Sequence, residues 1–187
     1  MNKDFSSIYS KLSTDLKSFQ NPKVTQKEKV KDQKVKNDFT NVFLAIKTET
    51  VEFLKNFNGV YPSLHNELQR YLKSLAPKYK YSGALEYPVK MGTNRKGRID
   101  LVWKKKKTKF LAIEIDFTNR KRSIQKLVKI NADYCIWIYM GNVSPLDDLK
   151  RLDPHGKIHL IWLKYQKRRK MSNGAINSNL AYEKIED

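Results

Sequence analysis

One cysteine, three histidines and seven glycines in 187 residues exclude several classes of protein at the outset. A lone Cys135 cannot close an internal disulfide, and it cannot build a thiolate zinc site. Set between Tyr134 and Ile136 in an apolar run, it reads as a packing residue. His65, His155 and His159 stand at no metal-ligating spacing, so no zinc centre is expected. Asn94-Arg95-Lys96-Gly97 is too poor in glycine to cradle a phosphate chain, so no nucleotide cofactor is expected either. The longest apolar run, Tyr134 to Met140, falls far short of the ~20 residues that span a bilayer. The stretch MNKDFSSIYSKL has no apolar h-region, so a signal peptide is not expected. These features fit a reducing cytoplasm.

Acidic residues are scarce as well. There are 19 Asp and Glu against 38 Lys and Arg, a formal net charge of +19. Such a surplus resists compaction and points to a polyanionic partner. Nucleic acid fits better than an anionic membrane. A membrane-surface protein would present a basic amphipathic helix with Trp or Phe on its apolar face, whereas Trp103, Trp137 and Trp162 fall in strand-like runs. Hydrophobic residues at 40% are enough to bury a core.

The chain divides by pattern, with no internal repeat. Phe5, Ile8, Leu12, Leu16 and Phe19 recur at helical spacing, and Asn21-Pro22 stops that helix. Residues 23–36 are lysine-rich and read equally well as a solvated helix or a linker. A second amphipathic run, Phe39 through Phe57, should end at Asn58-Gly59. Residues 1–58 are therefore expected to form a helical arm, for dimerisation or for clamping DNA, and 59–187 the core. Ser63 is a good N-cap for a helix with Leu64, Leu68, Tyr71, Leu72 and Leu75 on one stripe, closed by Pro77. Strands are expected over 81–91 (Pro88 marking an edge or a bulge), 98–103, 110–117, 134–140 and 157–165. A helix capped by Thr118 or Asn119 should run to about Ala132, and a short one should span 145–152. The order implies an α/β core with a mixed sheet.

The two middle strands carry the chemistry. Folded as an antiparallel hairpin about a turn near Lys107, they set Asp100 opposite Glu114, with Asp116 two residues on and on the same face. Leu111, Ile113, Ile115 and Phe117 make the other face apolar. Opposed like charges are destabilising, and clustered carboxylate oxygens suit Mg²⁺ or Mn²⁺.

A helix bearing Glu67, a strand, Gly97-Arg98-Ile99-Asp100, then Ala112-Ile113-Glu114-Ile115-Asp116, a helix and a buried strand together resemble the PD-(D/E)xK nuclease superfamily. The resemblance spans residues 63–140. It implies a restriction-endonuclease-like core and a Mg²⁺ (or Mn²⁺) ion held by Asp100, Glu114 and the backbone carbonyl of Ile115, with Glu67 reaching the metal directly or through water. It also implies a bacterial, archaeal, phage or plasmid setting. The motif lysine is missing. Asp116 occupies its position and would bind a second metal or act as general base, or the cation has moved to Lys126 or Arg122 on the following helix.

Arg120, Lys121 and Arg122 begin that helix, where the macrodipole disfavours cations by ~0.3–1 kcal/mol each, a placement suited to a phosphodiester. Lys104, Lys105 and the segment with Lys167, Arg168 and Arg169 are further candidate contacts to the DNA backbone. The reading is a metal-dependent endodeoxyribonuclease acting on double-stranded DNA, in first place a homodimeric type II restriction endonuclease. The alternatives are a junction-resolvase-like nuclease and a DNA-binding module without catalysis on the same fold.

Overall fold

The computed structural model describes residues 26–58, 63–93 and 95–164. The expected helix over residues 4–19 and the basic residues Lys167, Arg168 and Arg169 lie outside the described residues. Helix α1 (Gln26–Asn56) resolves the choice left open for the lysine-rich stretch. From Gln26 onward it is helical and runs unbroken into the amphipathic run, stopping two residues short of Asn58. The compact unit that carries the sheet begins at Asn41, inside α1. Within that unit Val42, Ile46 and Leu54 of α1 are buried.

Helix α2 (Leu64–Leu75) buries Leu64, Leu68 and Leu72, the stripe read from the sequence. Ser63 holds the N-cap position, but its side chain makes no capping hydrogen bond. Its backbone is already helical, and its hydroxyl lies 2.5 Å from Glu67 Oε1. The α-helix closes at Leu75, just ahead of Pro77 as expected, and Pro77 falls in the first turn of a 3₁₀ helix over Ala76–Tyr79, where a missing N–H costs nothing.

Five strands follow: β1 (Ser82–Lys90), β2 (Lys96–Lys105), β3 (Thr108–Asp116), β4 (Tyr134–Tyr139) and β5 (Ile158–Trp162), in that spatial order. β1, β2 and β3 form an antiparallel meander, and β4 and β5 join it in parallel. The chain is thus α/β with a five-stranded mixed open sheet. Pro88 sits on the edge strand, where its missing donor is harmless. Helix α3 (Lys121–Lys129) links β3 to β4, and α4 (Leu146–Leu152) links β4 to β5.

α3 sets Ile124 and Leu127 against Val102, Ala112, Cys135, Trp137 and Tyr139. α2 packs against β1, β2 and β3. β3 is consequently buried from Phe110 to Asp116, with no solvated face. Each such aliphatic side chain contributes about 1.5–3 kcal/mol. Cys135 packs as expected, its thiol donating to Leu127 O at 3.3 Å and pushed up to about 11 by burial. The parallel pair β3–β4 ends with Asp116 beside Tyr139, and α/β sheets place ligands beyond such carboxyl ends.

Candidate active site

The β2–β3 register pairs Leu101 with Ile113, so the next position sets Asp100 against Glu114 as the turn implied. There the ladder changes character. Asp100 N–H donates to Glu114 Oε1 at 3.2 Å, and Ile115 N–H donates to Asp100 Oδ2 at 2.8 Å. Two main-chain donors thus meet carboxylates in place of carbonyls, and that fixes both acids. The acids are not a solvated polar face. Asp100 is 9% exposed, Glu114 1% and Asp116 5%, because α3 lies over them. Burial, then the charge of Asp100, pushes the Glu114 carboxyl up to about 8, with Lys126 opposing. Burial likewise raises Asp116, against hydrogen bonds from Ser123 and Trp137.

Lys126 reaches this cluster from α3. Its ammonium pairs with Glu114 Oε2 and donates to the carbonyl of Arg98 at 2.7 Å. The stem passes Gly97, where a Cβ would stand 3.2 Å from Lys126 Cδ and would press the stem aside by a few tenths of an ångström. Asp116 accepts from Trp137 Nε1 at 2.9 Å and faces Arg120 Nε at 3.7 Å. Asp100, Glu114, Asp116, Arg120 and Lys126 line a cavity of about 380 Å³, together with His65, Ile115, Ser123, Phe117 and Thr118.

Several residues singled out from the sequence fall elsewhere, and each has a physical reason. Glu67 is not at the cluster; it borders a different pocket, with Phe53 and Tyr71. His65 is there in its stead, its Nε2 3.1 Å from Asp100 Oδ2, and that hydrogen bond raises the imidazole's pKa. Arg122 is exposed on the outer side of α3 and does not line the cavity. Lys121 turns to Asp148 at 3.5 Å, which leaves Arg120 as the cation of this trio at the cavity. Neither Thr118 nor Asn119 caps α3. Arg120 holds the N-cap position, Asn119 donates to Asp148 Oδ2 at 2.8 Å, and the helix ends at Lys129, before Ala132. Lys104 and Lys105 close the far end of the hairpin, away from the cavity. Edge-strand residue Glu86, opposite Asp100 in the register, holds a left-handed φ of 50° and pairs with Arg98 at 3.2 Å; no sequence signal marked it.

No family model, curated protein or solved structure matches the chain.

Among the described residues no three His, Cys, Asp or Glu side chains stand together as a metal cage. The donor set that fits a hard cation is smaller: the buried carboxylates of Asp100 and Glu114, with Ile115 lining the same cavity. Mg²⁺ commonly binds through one or two protein carboxylates and completes its shell with water and phosphate oxygens.

Proposed function

We propose that the protein is a Mg²⁺- or Mn²⁺-dependent endodeoxyribonuclease of PD-(D/E)xK type. The observation that carries the reading is the ammonium of Lys126 on Glu114, opposite Asp100. It supports the relocated-cation alternative for a site whose motif position is held by Asp116. Asp100, Glu114 and the Ile115 carbonyl would hold the ion, and His65 would orient Asp100 as an outer-shell partner. When bound, the ion supplies a polarised phosphate and an activated water.

The chain's own residues do the rest. Lys126 holds a positive charge where charge builds on the phosphate oxygens, in a walled site that strengthens its effect. Arg120, with a 70% exposed side chain at the cavity, is placed to receive a phosphate oxygen. Asp116, already bonded to Trp137 and facing Arg120, acts as a positioning residue, which supports neither a second metal nor a general base there. The net charge of +19 suits duplex DNA as the polyanion.

The test is incubation of purified protein with several supercoiled plasmids and Mg²⁺. Discrete, plasmid-specific bands would support a type II restriction endonuclease, and cuts confined to branched substrates a resolvase-like enzyme. Binding with no nicking under any divalent cation would contradict the nuclease reading.

A further inference from the structure

The sheet end remote from the cavity gathers lysines at a local energetic cost. Ser82 pairs with Lys104, so the start of β1 lies beside the tip of the β2–β3 hairpin. That end carries Lys78 and Lys80 from the 3₁₀ turn, and Lys104, Lys105, Lys106, Lys107 and Lys109 from the hairpin. Lys78 is paired with Glu49 at 3.4 Å. Among the described residues, none of the other six forms an ion pair with a carboxylate.

Three features there oppose local preference. Lys104 and Lys109 are direct cross-strand partners, a like-charge pairing that destabilises a sheet. Lys106, in the turn, holds φ 56°, and Lys80 holds φ 64°. Glycine or asparagine ordinarily fills such positions, because a larger side chain is strained there. Unfavourable local choices kept together at one place mark function.

We infer that this lysine pole is a second contact for the backbone of duplex DNA, separate from the cavity. Lys106, in the turn just past the end of β2, lies six positions beyond Asp100. At ~3.3 Å per residue the two contacts stand roughly 20 Å apart, about six base-pair steps of ~3.4 Å. The surrounding aromatics favour phosphate contact over base stacking, because their rings are already engaged. Tyr79 and Tyr81 stack on Trp103, and the ammonium groups of Lys104 and Lys109 lie 5.4 and 5.2 Å from the Tyr87 ring centroid. A membrane surface fits less well. The large exposed apolar residues Leu44, Val128, Val143 and Leu146 all lie outside the turn and hairpin that form the pole.

The inference rests on the nuclease reading only for its choice of duplex DNA, and it is tested in EDTA by binding alone. The probe is a labelled duplex of about 30 base pairs titrated at several salt concentrations. Lys105→Gln, Lys106→Gly and Lys107→Gln combined should flatten the log–log salt slope by about two to three units, and shorten the hydroxyl-radical footprint on one flank. A control with Lys47→Gln, Lys55→Gln and Lys150→Gln removes the same charge and should keep slope and footprint. Lys106→Gly alone should hold or raise Tm while flattening the slope by about one unit, which separates the effect from misfolding. An unchanged slope in the pole variant would overturn the inference. So would equal flattening in the control, or loss of binding to phosphatidylserine vesicles with DNA binding intact.

Discussion

Replacing Lys126 with methionine removes the cation facing Glu114 and keeps a stem of similar reach. The cost should depend on pH in a way the geometry dictates. Glu114 is 1% exposed and its carboxyl is pushed up to about 8. At pH 6, below that raised value, the protonated carboxyl is favoured, so the variant loses mainly the ammonium's hydrogen bonds, to Glu114 and to the Arg98 carbonyl, and strands no carboxylate. At pH 9.5 the wild type holds an ionised buried pair. The variant must strand a buried carboxylate or keep it protonated well above its unfolded pKa, and breaking such a pair costs about 3–5 kcal/mol. Folded variant then binds more protons than unfolded chain, so its stability falls as pH rises. Urea unfolding of both proteins at the two pH values measures the difference. With Glu114→Gln in the background, the Lys126→Met cost should be small and independent of pH. An equal cost at pH 6 and 9.5 would refute the reasoning, as would no cost at either. Where cleavage is assayed, the single-turnover rate should fall with DNA affinity in EDTA preserved.

The raised Glu114 and Asp116 carboxyls predict that the metal-free protein loses stability as pH rises from about 5 to 8, since the folded form binds the extra protons across that window. Thermal unfolding should show a flatter pH profile for Glu114→Gln, and Mg²⁺ should raise Tm more at pH 8.5 than at pH 6, because binding needs the carboxylate. His65→Ala should raise the Mg²⁺ concentration for half-maximal cleavage about 10–100-fold, as loss of a group orienting a ligand does, with DNA binding in EDTA unchanged. An unaltered Mg²⁺ requirement would reduce His65 to packing. Glu67→Gln should cleave like the wild type, and a marked loss would contradict its placement away from the cavity.

The sequence made the hairpin register legible because a lysine turn between two apolar runs leaves one pairing that buries Ile113 and Ile115 together. It made Lys126 a candidate because the following helix has a clear core face. Helix α2 shows where the sequence stopped being informative. Its stripe of Leu64, Leu68 and Leu72 fixes which side is buried. At 100° per residue, though, His65 and Glu67 flank that stripe on opposite sides, and only the tertiary fold decides which flank meets Asp100. The burial of the acids was hidden for a similar reason. Alternation marked their face as polar, but the polar covering comes from Ser123 and Lys126 on an element that packs there only in the folded sheet. The strain at Glu86, Lys80 and Lys106 lies in backbone angles, which residue type does not disclose.

The central claim is that Asp100 and Glu114 serve the chemistry and not the binding. Cleavage of an end-labelled duplex under single-turnover conditions with Mg²⁺, beside affinity for that duplex in EDTA, measures both quantities. Asp100→Ala and Glu114→Ala should each lose cleavage and keep DNA affinity. Retention of more than about a tenth of wild-type cleavage by either folded variant would contradict the account, since one acid–base step alone is worth ~10²–10⁴-fold.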